Sequence, residues 1–378
     1  MDRQLRDDKQ WVAACLKLAA LGSLNHRSKL RLLEHYPHPA AIFDAPLTEL
    51  SMLLQIRAEF LQDALTSINP VKIAQQLKLV DEEGIEIILY STAAYPHTLR
   101  QVHSAPPVLF VQGNSALLAG PQIAMVGSRH ASPSGLKTAR AFAREFAASG
   151  LTVTSGLASG IDTAAHQGAL KQPGSTVAIV ATGLDEVYPR SNAILARSII
   201  ESGCMVSEFP PLTPARRAHF PQRNRIISGL SLGVLVVEAD TRSGSLITAR
   251  LAGEQGREVF AIPGSIHSPT SRGCHQLIRQ GAKLVETTAD VLLEIRPSLE
   301  RCLDFRKASQ TKRPNTHSGS DAEAQSVLNL VDFAPTPLED IVAHSNLPIE
   351  RVSSALLQLE LAGRVSPLPG GQYQRVPD

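Results

Sequence analysis

Four arginines fall within the ten residues Arg216-Arg217-Ala218-His219-Phe220-Pro221-Gln222-Arg223-Asn224-Arg225, and no acid stands between Phe209 and Val237. Arginine's planar fork grips phosphate oxygens in pairs, where lysine offers only a point charge. At the start of a helix predicted over Gln222–Gly229, these side chains would concentrate positive potential. Phe220 among them offers a flat face on which a base could stack. For Phe220 alone a place in the core is equally good; four cations without an acid between them fit a phosphate ligand better than a solvated face.

Three Gly/Ser loops repeat a second logic. Ile123-Ala124-Met125-Val126 reads as a strand that empties into Gly127-Ser128-Arg129, with Ser132 and Pro133 opening the next helix. A strand, a glycine turn and a helix N-terminus present backbone N–H groups and a helix dipole to an anion, and Arg129 would add charge. The second loop is Thr154-Ser155-Gly156-Leu157-Ala158-Ser159-Gly160-Ile161-Asp162, where Asp162 is expected to cap the following helix. The third is Glu238-Ala239-Asp240-Thr241-Arg242-Ser243-Gly244-Ser245. Each glycine could serve a tight turn alone; three such loops in one sheet predict a phosphate-friendly rim.

Other chemistries find no support in the spacing. Neither GxGxxG nor a P-loop with its lysine is present, so a dinucleotide or ATP cofactor is disfavoured. Gly229-Leu230-Ser231-Leu232-Gly233 matches the nucleophile-elbow pattern, but a helix precedes it and a strand follows, the reverse of what that motif needs. Cys15, Cys204, Cys274 and Cys302 are scattered without metal-ligand spacing and read as thiols in a reducing cytoplasm. No catalytic residue, metal or cofactor is predicted. No apolar run reaches the roughly 20 residues of a membrane helix, and the charged start Met1–Asp8 does not read as a signal peptide.

The elements that must position these loops follow from periodicity. Short apolar strands at Ile85–Tyr90, Val108–Gln112, Ile123–Val126, Leu151–Thr154, Val177–Val180, Met205–Ser207, Val234–Glu238 and Val259–Ala261 alternate with helices such as Gly135–Ala148, Asp162–Lys171, Ala193–Ser202 and Ser245–Gln255. This is the pattern of an α/β, Rossmann-like, doubly wound and mainly parallel sheet over residues 80–296. Residues 1–78 read as an all-α module of short helices, for packing or partner binding; a DNA-binding helix-hairpin-helix would need a Gly-x-Gly hairpin that is missing. Residues 299–320 are polar and basic and read as a flexible linker. Residues 321–378 offer three helices and a ribbon turning at Pro369-Gly370-Gly371, a winged helix. Net charge divides unevenly, from +3 over 76–298 to −5 over 321–378.

The motifs Val126-Gly127-Ser128-Arg129, Ser155–Asp162, Gly183-Leu184-Asp185 with Tyr188-Pro189, Phe220–Ile227 and Ser243–Thr248 occur in that order. Together they closely resemble the DNA-processing protein A family (DprA, also called Smf), most strongly over 85–296. The resemblance implies a cytoplasmic protein, generally a homodimer, that binds single-stranded DNA and loads the RecA recombinase, acting in recombination and natural transformation. It also implies a DNA pocket holding Arg129, Arg190, Arg217, Phe220, Pro221, Arg223, Asn224 and Arg225, to which the Gly/Ser loops add Gly127, Ser128, Ser159, Gly160, Ser243, Gly244 and Ser245 as DNA-binding candidates. Arg190 and Arg217 stand where some relatives carry lysine.

The candidate recognition helix of the winged module, Ile349–Ala362, carries only Arg351 against Glu350 and Glu360. Duplex readers place cations there, so this module is expected to dock on protein. The competing class is a nucleotide-processing enzyme related to the phosphoribohydrolases, whose Pro-Gly-Gly-x-Gly-Thr loop is replaced here by Ser243–Thr248.

Overall fold

The computed structural model describes residues 8–172, 176–311, 326–332, 334–345, 347–361, 364–368 and 372–376. The chain divides into two units, Met1–Lys307 and Ala308–Asp378.

Among the described residues the first unit opens with six helices: α1 (Lys9–Ala20), α2 (His26–His35), α3 (Ala40–Asp44), α4 (Leu47–Leu54), α5 (Ala58–Thr66) and α6 (Pro70–Glu82). Local chemistry starts them well. Asn25 accepts from Ser28 N at 2.8 Å at the head of α2, and Asn69 accepts from the first turn of α6, whose first residue is proline. Helix α6 crosses the boundary expected at residue 78.

A nine-stranded sheet follows: β1 (Glu86–Leu89), β2 (Val108–Gly113), β3 (Gln122–Val126), β4 (Thr152–Ser155), β5 (Thr176–Ile179), β6 (Cys204–Ser207), β7 (Gly233–Val236), β8 (Glu258–Ala261) and β9 (Lys283–Leu284). Their order across the sheet is β1-β2-β6-β5-β4-β3-β7-β8-β9. Strand β2 pairs antiparallel with both β1 and β6, and the remaining pairs are parallel. The α/β reading therefore holds, with an antiparallel edge and a short ninth strand that its two residues made invisible to periodicity. Between the strands lie α7 (His97–Arg100), α8 (Pro133–Ala148), α9 (Ile161–Ala169), α10 (Ala193–Ser202), α11 (His219–Leu230), α12 (Ser245–Glu254) and α13 (Arg272–Arg279), and α14 (Thr288–Thr311) follows the last of them.

Alternate strand residues sort the core into layers, as a pleat requires. Ile88, Leu109, Val177, Val206, Ala124 and Val236 face one layer, together with α11 residues Ile226, Ile227 and Leu230. On the opposite face, Ile123, Met125, Val153 and Leu235 pack under α8, α9 and α14. The other half of that face, through Ile87, Leu89, Phe110, Ala178 and Met205, is one core with Trp11, Leu16, Leu18, Leu32 and Leu61 of the N-terminal helices. Of the stretch 1–78 expected as a separate module, the described residues 8–78 thus form the roof of the sheet's antiparallel end. The segment expected as a linker from residue 299 is helical as far as Thr311, as the last part of α14; residues 312–320 lie outside the described residues.

In the second unit, helix α15 (326–330) and helices α16 (Leu338–Ser345) and α17 (Ile349–Leu361) surround Val327, Leu328, Val331, Ile341, Val352 and Leu356. A three-stranded sheet, β10 (Thr336–Pro337), β12 (Gln372–Arg375) and β11 (Val365–Leu368) in that spatial order, completes a winged helix. The turn expected at 369–371 lies outside the described residues.

Candidate nucleic-acid interface

The chain winds outward from β3 through β4, β5 and β6, then returns to lay β7 on the other side of β3. Strand order reverses between β3 and β7, and it is outside the carboxyl ends of such a pair that α/β folds bind ligands. Here two loops close that crevice against each other. Ser128 N donates to Glu238 O at 2.7 Å, and a side-chain carbon on Gly127 would stand 2.8 Å from the same oxygen. The Glu238 carboxylate reaches the N-terminus of α8, accepting from Ser132 N at 2.8 Å and from Ser132 Oγ at 2.5 Å. Gly135 leaves room for it, since a Cβ there would lie 2.6 Å from both carboxylate oxygens. The sequence pattern predicted that this helix N-terminus receives a ligand's anion; the chain's own carboxylate receives the dipole and the amide instead.

The second loop folds onto the first. Gly160 takes φ +81°, and a Cβ on it would meet the Ser128 carbonyl oxygen and stand 2.7 Å from that of Arg129. Only glycine permits that approach. Asp162 does not cap α9 as expected. It is buried and turns back to accept from Gly156 N at 3.1 Å and Ala158 N at 3.3 Å. Burial pushes its carboxyl up to about 6, against the opposing pull of Arg223 and the two amides.

Arg223 and Arg225 correct the reading of four free cations. Both lie on α11, which starts at His219 rather than Gln222, and both are buried, with 4 and 6% exposure. Arg223 donates to Gly156 O at 2.6 Å and to Ile179 O. Burial lowers its pKa to about 10. Arg225 pairs with Glu208 and meets His26 Nε2 at 2.8 Å. A buried guanidinium persists only when hydrogen-bonded or paired, and these two are joined to partners up to 199 positions away.

The exposed remainder forms a platform. Arg129 lies 5.4 Å from the Phe220 ring centroid, and the Tyr188 ring lies 5.5 Å from Phe220 on a tilted plane. Phe220 is half-buried, while Arg129 and Tyr188 are exposed. His219 is fixed beside them by a 4.1 Å stack on Phe209 and a 3.2 Å contact to Ala181 O. Arg190 begins a 3-10 turn through Asn192, and Asn192 anchors it by donating to Leu157 O and Thr163 Oγ1, each at 2.9 Å. Arg190, Arg216, Arg217 and Ser159 are exposed, and Asn224 is half-buried. The third loop joins the first through Glu238. Ser243 and the buried Ser245 share a 2.7 Å hydroxyl contact in which one donates to the other, and Gly244 is exposed.

Sequence reasoning did not assign the roles of Tyr188, Glu208 and Glu238. Tyr188 stood beside a motif proline. The two glutamates carried no local signal, because their partners are brought by the fold.

Residues 86–296 match the family model described as DNA recombination-mediator protein A, and residues 311–371 match the DprA winged helix domain. The chain belongs to that recombination-mediator family. The protein Smf of Escherichia coli is 38% identical over 357 residues, 94% of each chain. The X-ray structure of DNA processing protein A from Streptococcus pneumoniae superposes with a TM-score of 0.66 at 38% identity, covering 74% of this chain and 95% of its own. The solved structure of the Helicobacter pylori protein, described as showing a single-stranded DNA binding mode, gives 0.51 at 26% identity over 57 and 96%. Among the described residues no helix is long and apolar enough to cross a membrane, and no group of histidine, cysteine and acidic residues is arranged to hold a metal ion.

Proposed function

We propose that this chain binds single-stranded DNA on the platform built by Arg129, Phe220 and Tyr188, with phosphates held by Arg190, Arg216 and Arg217, and that it acts on the strand without catalysis. The carrying observation is the contact of an exposed arginine with an accessible aromatic pair at the carboxyl ends of the strands. Stacking tolerates any base, and cations that track the backbone supply salt-sensitive affinity. The single-stranded DNA binding described for the Helicobacter pylori relative supports the same reading.

The full activity we propose is delivery of RecA to the bound strand, in the cytoplasm and as a homodimer, during recombination and uptake of DNA. The deciding experiment compares oligothymidine with duplex DNA across a salt series, for wild type and for Arg129→Ala. Tighter binding to the single strand, with a shallower salt slope in the variant, supports the reading; equal affinity for both DNA forms and an unaltered slope would overturn it. RecA filament growth on a protein-coated strand tests the loading step.

The phosphoribohydrolase reading meets a specific obstacle. Glu238 fills the helix N-terminus at the switch point where a nucleotide phosphate would sit. Incubation with AMP is expected to release no adenine. For the winged helix, whose candidate recognition helix carries more acid than base, we propose docking on protein. Removing 321–378 should change single-strand affinity by less than about tenfold, or 1.4 kcal/mol.

A further inference from the structure

Two side chains of the N-terminal helices grip the loop that carries Arg216 and Arg217. His26, at the head of α2, meets Glu208 Oε2 at 3.1 Å, and Glu208 pairs in turn with Arg225 of α11. Gln76, buried on α6, donates from Nε2 to Pro211 O at 2.7 Å. From the core side the same loop is held through Leu212 N to Asp185 Oδ1 at 2.9 Å and Gly183 N to Thr213 O at 2.9 Å. The loop then runs through the exposed Arg216 and Arg217 into His219 and Phe220. Its first half is thus clamped from both sides, and its second half presents the cations.

We infer that His26 and Gln76 are positioning residues for DNA binding: the N-terminal helices fix the 208–218 loop so that Arg216 and Arg217 lie in register with the Phe220 platform. This rests on the single-strand reading above. Neither residue touches the DNA. The two tethers attach at Glu208 and Pro211, and Leu212, between them and the arginines, is held at φ +63°, a conformation a leucine keeps only under constraint. Releasing the tethers lets the loop relax, and the cations lose their fixed spacing to the strand.

The test is a cycle in the full-length chain, read by oligothymidine affinity and its salt slope. His26→Ala is the first arm, because His26 is partly exposed and its loss leaves the Arg225–Glu208 pair intact. Gln76→Leu, close in volume, is the second. Each is made in wild type and in an Arg216→Ala/Arg217→Ala background. The expected result is weaker binding with a shallower slope in the wild-type background and no further loss where the arginines are gone, since coupled residues are non-additive. His26→Gln, whose amide can both donate and accept, should recover affinity. General destabilisation would lower the melting temperature equally in both backgrounds and leave the slope unchanged, which overturns the positioning role. Wild-type affinity in both tether variants, with the arginine pair shown to matter, overturns the positioning role alone. Wild-type affinity in the arginine pair itself overturns the positioning role and the DNA role of this loop together.

Discussion

The guanidinium of Arg129 sits 5.4 Å from the centre of the Phe220 ring, so cation and aromatic plane form one surface instead of two neighbouring sites. Tyr188 extends that surface as a second ring packed against Phe220.

Replacing Phe220 by alanine should weaken oligothymidine binding by about 1–3 kcal/mol, roughly 5- to 150-fold in Kd, with the salt slope held. Arg129→Ala should instead reduce the slope by about 0.7 for each phosphate that Arg129 neutralises. Fluorescence anisotropy across a salt series separates the two effects. An altered slope in the Phe220 variant would mean that it acts through the phosphates.

Arg223→Ala should unfold before it informs on DNA. It strips the bond from the carbonyls of Gly156 and Ile179 and removes a cation whose field favours the buried Asp162 carboxylate. Leaving buried carbonyl acceptors without their donor costs about 1–3 kcal/mol each, measurable as the urea midpoint. A stable Arg223→Ala protein with weakened DNA binding would return this arginine to the interface.

Asp162 gives a pH signature. Its carboxyl rises from an ordinary 3.8 to about 6 on folding, so between those values the native state holds more protons than the unfolded chain. Its contribution is therefore greatest below about pH 4 and is lost as pH rises through about 6. Asp162→Asn should flatten that fall in stability. Urea midpoints for both proteins across this pH window measure it, and parallel profiles would count against the assignment.

Glu238→Ala should lower stability by about 1–3 kcal/mol, the cost of leaving Ser132 N and Oγ without their acceptor. It also empties an anion cradle at the N-terminus of α8. Inorganic phosphate should then raise the melting temperature of the variant more than that of wild type. Equal shifts in calorimetry would show that the cradle collapses.

Much of this was legible from the chain. The strands announced themselves as short apolar runs, and Gly127-Ser128-Arg129 stood where a strand must turn into a helix. What failed were inferences that counted neighbours along the sequence. The acid-free window from 210 to 236 suggested four unpaired arginines, yet Glu208 lies two residues outside it and pairs with Arg225, while Arg223 uses backbone carbonyls that carry no charge. The basic run after Arg296 read as a linker because a strongly charged helix has the composition of any polar segment, and Pro297 lies inside the helix rather than ending it. Asp162 stood at a capping position, but the glycine turn ahead of it brought the Gly156 and Ala158 amides within reach.

The shared core of the N-terminal helices and the sheet sets an order on synthesis. Trp11, Leu16 and Leu32 leave the ribosome well before Ala178 and Met205 of the same core. Until then the first helices carry an uncovered apolar face, and pairings of such sequence separation form slowly. The helices from Lys9 to Glu82 are therefore a waiting half-structure, completed only when the antiparallel edge of the sheet arrives to close it.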